Sequence, residues 1–180
     1  MRIGLKSDIN KKLKYWQGRK VKHIDSISHL NLKLYSLIMI REIVKKALTV
    51  ETKIQVKNFY DIHNFLHKCN YTSDEVLFNR SDYWQTPDQF EINQSGDCED
   101  FSLWAWRKLI DIGKNALFTV GSDDYVGHAW VTIFQNEDIL IYEPTNKSDI
   151  KHIPIISVLE INSYKPSFSI DKKLNFYQHI

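Results

Sequence analysis

The residues of this chain best suited to covalent chemistry are Cys98, His128 and Glu143. Cys98 stands in Gly96-Asp97-Cys98-Glu99-Asp100, directly ahead of the apolar run from Phe101 to Ile112. A cysteine that follows a Gly-Asp turn and opens a helix meets backbone N–H groups and the positive end of the helix dipole, which favour a thiolate. Gly127-His128-Ala129-Trp130-Val131 follows in a strand-like pattern, and Tyr142-Glu143-Pro144-Thr145 closes the next one. Thiol, base and carboxylate thus come in order on three separate elements, as a cysteine-nucleophile site requires. An ordinary thiol titrates near about 8.5, and a helix start with a protonated histidine lowers that value. Glu143, bonded to the far ring nitrogen, fixes the tautomer and stabilises the imidazolium. The thiolate attacks an acyl carbon, His128 protonates the leaving amine, and water or a second amine resolves the thioester. The Cys98 backbone N–H meets the oxyanion, with Trp84 or Gln85 as the side-chain donor.

Three elements must hold these groups. Cys98 to about Ile112, stopped by Gly113, reads as a helix, with Cys98, Phe101, Ser102, Ala105, Leu109 and Ile112 on one inward face. Leu117 to Val120, Tyr125 to Phe134, Ile139 to Tyr142 and Ile150 to Ile161 read as strands, with Phe168 to Ile170 and a last strand near Phe176. Their short turns imply antiparallel pairing. Alternation puts His128, Trp130 and Thr132 on one face and Ala129, Val131 and Ile133 on the other. Ahead of them, a helix from Ser28 through Leu30, Leu34 and Leu37 to Leu48 is predicted. A second is capped by Asn58 and runs to Cys69, and a short third starts at Thr86-Pro87. Residues 1–25 show no clean period, and the stretch from Tyr71 to Gln94 is turn-like at Ser73-Asp74-Glu75 and Asn79 to Asp82. Helices first and antiparallel strands after give an α+β fold, the N-terminal helices packed on a C-terminal antiparallel sheet.

Composition narrows the function classes. With 180 residues and 43% hydrophobic content, the chain suits one packed domain, read here as residues 26–180 behind a basic arm of residues 1–25. That arm holds eight Lys/Arg against two Asp, and the remainder sixteen against twenty acids. It reads as a solvated leader, and nucleic acid is not expected as a partner. No run approaches the roughly 18–20 apolar residues of a membrane span, and no apolar signal core follows the first basic residues. Cys69 and Cys98 are the only cysteines, so no disulfide framework exists and a cytoplasmic location is expected. His63, His67 and Cys69 have a spacing that can grip a metal but lack an obvious fourth ligand, so they read as a packed face. The chemistry at Cys98 requires neither metal nor organic cofactor.

Taken together, Asp82-Tyr83-Trp84-Gln85-Thr86-Pro87, Gly96 to Phe101 and Gly127-His128-Ala129-Trp130 resemble the transglutaminase-like superfamily. Within it the likeness is to bacterial transglutaminase-like cysteine proteinases, with their Trp-x-Thr-Pro, Gly-Asp-Cys-Glu-Asp and Gly-His segments. It spans about residues 70–145 and implies a papain-like fold, with Cys98 as nucleophile and His128 as base. Glu143 stands where the family usually has an aspartate. Some exported relatives bind calcium through acids flanking the nucleophile, here Asp97 and Glu99, which read as a cap and salt-bridge pair instead. The implied function is a cysteine peptidase or amidase acting on a protein or peptide. Acyl transfer to an amine is the alternative, with Trp84, Trp104, Trp106 and Trp130 as walls of a shielded cleft. A catalytically silent binding module is the third reading. Side chains of the N-terminal helices and of Ser122 to Tyr125 are expected to set specificity.

Overall fold

Helix α6 (Cys98–Asp111) is the axis of the fold in a computed structural model that describes residues 2–21, 34–124, 126–147 and 149–180. Phe101, Leu103, Trp104, Ala105, Trp106 and Leu109 of α6 are buried, and the helix packs across β4 (Asn115–Asp123) and β5 (Val126–Gln135). It ends where the sequence predicts, because Gly113 takes φ +78°, a conformation that glycine adopts without a Cβ penalty.

The sheet has seven strands in the order β1-β9-β8-β4-β5-β6-β7, every pairing antiparallel. β6 (Asp138–Tyr142) and β9 (Phe176–Gln178) match the predicted strands, while β8 (Tyr164–Ile170) starts four residues ahead of the predicted Phe168. The run from Ile150 to Ile161 yields only the short β7 (Ile155–Ser157). Alternation along β5 serves two cores. Ala129, Val131 and Ile133 face the core under α6, while Trp130 joins Trp16, Ile139, Ile141 and Val158 on the reverse face. Both sheet faces are therefore covered, and a strand buried on two sides is apolar at nearly every position.

The reverse face is covered by α1 (Arg2–Gln17), which the sequence pattern did not predict. Trp16 is 1% exposed and packs against Trp130, and β1 (Arg19–Val21) pairs with β9. Tyr15 C=O accepts from His179 Nδ1 at 2.8 Å, and His179 Nε2 meets Ser169 Oγ at 2.9 Å, which ties the helix to the chain's last residues. The stretch read as a solvated leader is thus packed as far as Val21; the division at residue 25 lies outside the described residues. A basic surface on one side of a helix hides the few aromatic residues that anchor it.

The remaining helices sit on the α6 side. α2 (Leu34–Thr49) is the predicted first helix, its proposed start at Ser28 and Leu30 lying outside the described residues. α3 (Phe59–Lys68) has the expected cap, Asn58 Oδ1 accepting from the Asp61 N–H at 3.0 Å. Ser73-Asp74-Glu75, read as turn-like, instead opens the short helix α4 (Asp74–Phe78). α5 (Pro87–Asn93) starts with Thr86 N–H donating to Gln89 Oε1 at 3.0 Å. Glu91 of α5 then joins three segments at once. Its carboxylate pairs with Lys108 at 2.9 Å and accepts from Trp104 Nε1 and from the N–H groups of Lys53 and Ile54. β2 (Asn70–Tyr71) and β3 (Ser95–Gly96) form a small parallel pair that brings the Gly-Asp turn to the head of α6.

Candidate active site

Cys98 is the first residue of α6 and is half-buried. Its Sγ–H donates to Glu99 Oε2 at 3.2 Å. Burial first, and then the charge and hydrogen bond of Glu99, push the thiol up, against the pull of the Ala129 backbone N–H. That direction is opposite to the one expected from a helix start. The dipole contributes about 0.3–1 kcal/mol in favour of an anion there, and burial next to carboxylates outweighs it.

The carboxylates form a cluster. Burial, the hydrogen bond with Asp97 and the charge of Asp97 push Glu99 up to about 9. Asp100 is raised to about 7, by burial first, and Asp74 and Asp97 are also raised chiefly by burial. Asp74, Asp97 and Asp100 have ligand atoms within 4.8 Å of one another, as do Asp74, Asp82 and Glu99. Asp74 Oδ1 and Asp97 Oδ1 are buried without a hydrogen-bond partner. Crowded carboxylates with orphaned oxygens are the donor set of a hard divalent cation, so Asp97 and Glu99 fit a calcium ion better than the cap and salt-bridge pair expected of them. Asp97 makes no side-chain cap bond to α6. His63, His67 and Cys69 belong to no such cluster among the described residues. His63 is buried, with Nε2 3.2 Å from the Asp149 carbonyl.

Across the cavity, His128 on β5 meets Glu143, which follows β6. The His128 Nε2–Glu143 Oε2 distance is 2.7 Å. Burial works against the imidazolium, but the hydrogen bond and charge of Glu143 prevail and His128 is raised from its ordinary 6.5. Glu143 is lowered despite burial, by His128, Thr145 and Tyr164. Tyr164 Oη donates to Glu143 Oε2 at 2.7 Å, and the Thr145 hydroxyl and N–H donate to Oε1 at 2.6 and 3.0 Å. The longer glutamate is therefore held by four donors. Sequence reasoning missed Tyr164 altogether, and its only signal for Thr145 was the Glu-Pro-Thr segment.

Cys98, Glu99, Gly127, His128 and Trp84 line one cavity of about 1040 Å3, with Met39 and Ile43 of α2 on its wall. Gln85 takes another task. Its Nε2 donates to Asp100 Oδ2 at 2.6 Å and to Ser95 O at 2.9 Å, and its N–H donates to Asp100 Oδ1 at 2.7 Å. Both amide hydrogens are thus committed, which leaves none for an oxyanion. Trp84 reaches the cavity, with Nε1 donating to Asp82 Oδ1 at 2.8 Å. Trp104, Trp106 and Trp130 are fully buried in the two cores and form no wall. Ser122 and Asp123 belong to β4, and Tyr125 lies outside the described residues.

A cysteine-bearing helix packed on an antiparallel sheet, with a histidine on one strand and a glutamate after the next, is the arrangement of the papain-like, transglutaminase-like fold. Among solved structures, the chain is similar to LapG of Legionella pneumophila, with a TM-score of 0.53 and 18% identity over 88% of this chain and 89% of that one. It is likewise similar to the calcium-bound form of the same protein, with a TM-score of 0.53 and 18% identity over 86% and 87%. No family model matches the chain, and no curated protein matches it in sequence. No helix among the described residues is long and apolar enough to cross a membrane.

Proposed function

We propose that the protein is a cysteine peptidase that hydrolyses a peptide or isopeptide bond, with Cys98 as nucleophile, His128 as base and Glu143 as the group that orients the base. The observation that carries this reading is the His128–Glu143 pair, half-buried and 2.7 Å long, on the wall of the cavity that Cys98 enters. Because Nε2 is engaged by Glu143, Nδ1 is the nitrogen left for the thiol proton. The thiol gives that proton to Nδ1 as Sγ attacks the acyl carbon. The imidazolium passes it to the leaving amine, and water activated by the neutral ring releases the acid. The Cys98 backbone N–H serves the oxyanion, the single indole N–H of Trp84 being committed to Asp82 as the Gln85 amide is to Asp100. Asp74 with Asp97 and Asp100, or with Asp82 and Glu99, would hold a calcium ion, which supplies positive charge beside the Cys98 loop when bound. Water is favoured over an amine as acceptor because Trp84 alone of the four tryptophans reaches the cavity. Both cysteines are free, which suits the reducing cytoplasm expected for the chain.

The test is cleavage of fluorescein-labelled casein with and without calcium, alongside iodoacetamide labelling of Cys98, with buried Cys69 as the internal reference. Cleavage that disappears in Cys98→Ala and His128→Ala supports the peptidase. Cleavage that survives Cys98→Ala, or labelling of Cys98 that ignores His128→Ala, overturns it.

A further inference from the structure

Lys12, Tyr15 and Trp16 stand about one turn apart on α1 and therefore share a face. That face does more than cover the sheet. Lys12 Nζ donates to the Ile161 carbonyl at 2.8 Å and to Asn162 Oδ1 at 2.9 Å, and the Tyr15 hydroxyl donates to the Pro166 carbonyl at 3.1 Å. These acceptors flank Tyr164, the first residue of β8. Trp16 reaches the same residue through Trp130. The two indoles lie 6.2 Å apart, and Trp130 meets the Tyr164 ring edge to face at 5.1 Å.

The sheet itself holds this end of β8 weakly. β9 pairs with β8 only from Phe168 to Ile170, so Tyr164 to Ser167 have a strand on one side alone. On that side the register with β4 shifts between Val120 and Gly121, and Pro166 has no N–H to give the ladder. Backbone bonds from Asp124 to Ser163 and from His179 to Ser167 add to the hold. A strand end with one neighbour and an irregular ladder frays readily. Tyr164 nevertheless needs a fixed position, because its hydroxyl donates to Glu143 Oε2 at 2.7 Å, the same oxygen that His128 Nε2 meets.

We propose that α1 positions the reacting groups from the reverse face of the sheet: Lys12, Tyr15 and Trp16 hold the start of β8 so that the Tyr164 hydroxyl meets Glu143, which in turn orients His128. The inference rests on the peptidase reading and extends its machinery beyond the cavity, which none of the three residues lines. They are positioning residues that act through Tyr164. Lys12 ties the chain before Tyr164 and Tyr15 ties it after, while Trp16 backs Trp130 and so fixes the depth of the Tyr164 ring. A small displacement there is felt at the site, because the reaction depends on the geometry of groups in line with the imidazole.

The test combines Lys12→Met with Tyr15→Phe, which keeps the stem and the ring and removes the three hydrogen bonds while Trp16 stays in place. This double variant is measured in the wild-type background and in Tyr164→Phe. In the first, kcat/KM for labelled casein is expected to fall about fivefold, mostly in kcat; in the second, the same pair of changes is expected to cost nothing further. Carbon-13 NMR of glutamate-labelled protein reads the Glu143 carboxyl directly, its resonance identified by its absence in Glu143→Gln. Glu143 is expected to titrate higher in the double variant and in Tyr164→Phe, and no higher when the two are combined. An equal fall in cleavage in both backgrounds, or a wild-type Glu143 titration in the double variant, overturns the proposal. If the double variant does not fold, Tyr15→Phe alone goes through the same cycle. Failure of the peptidase reading shows separately, as cleavage that survives Cys98→Ala, and the Glu143 titration then decides.

Discussion

His128 Nε2 and Glu143 Oε2 stand 2.7 Å apart, and the Glu143 carboxylate is gripped from its other sides by Tyr164 and Thr145. The imidazole is thereby fixed by an acid that is itself fixed. A glutamate in place of an aspartate brings an extra rotatable bond, and the added donors remove that freedom.

The pair makes stability depend on pH in two directions. Glu143 is lowered from its ordinary 4.5, so its contribution is present above that value and is lost as pH falls through the lower folded value. His128 is raised from 6.5, so its contribution is complete below 6.5 and is lost as pH rises through the higher folded value. Thermal unfolding of the wild type and Glu143→Gln across pH 3 to 9 is therefore expected to differ most between 4.5 and 6.5. A difference that grows steadily toward alkaline pH would contradict the pairing.

Tyr164→Phe removes one donor from Glu143 without emptying space. The variant is expected to lose about 1 kcal/mol of stability and about tenfold in peptide cleavage. Glu143 then titrates higher, so the acid limb of the pH–rate profile moves up. Tyr164 is a positioning residue if that limb moves; a changed melting temperature with an unmoved limb would make it structural only.

Gly121→Ala tests the packing beside the site. The added carbon meets Lys165 O and Trp130 at the register shift between β4 and β8. A loss of about 1–3 kcal/mol is expected, or a melting temperature lower by ~2–12 °C for a chain of this size. Differential scanning calorimetry beside Gly127→Ala separates the two glycines, since only Gly121 is held by packing.

Calcium should stabilise the protein through the acid cluster. At a hundredfold excess over its dissociation constant, one ion contributes about 2.7 kcal/mol. Asp97→Asn is expected to abolish most of the rise in melting temperature, and magnesium at equal concentration to give less of it, because it demands tighter octahedral geometry. A calcium response that persists in Asp97→Asn would place the ion elsewhere.

The local pattern of the chain was enough for the helix that opens at Cys98, for the hairpin strands bearing His128 and preceding Glu143, and for the caps at Asn58 and Thr86. Each depends on neighbours within a few residues, where periodicity and capping act. The alternation of β5 also located His128 and Trp130 on one face, although it could not say that Trp16 would cover that face.

What only the tertiary structure decided lies in contacts between distant segments. β8 enters the sheet beside β4, which brings Tyr164 to Glu143 across 21 residues of sequence. α4 delivers Asp74 to the loop ahead of Cys98, and Asp100 claims Gln85, turning an expected oxyanion donor into a support of that loop. The direction in which Cys98 titrates was decided there as well. A sequence shows a thiol at a helix start, but whether the dipole or the desolvated carboxylates prevail depends on burial, which only the packed chain fixes.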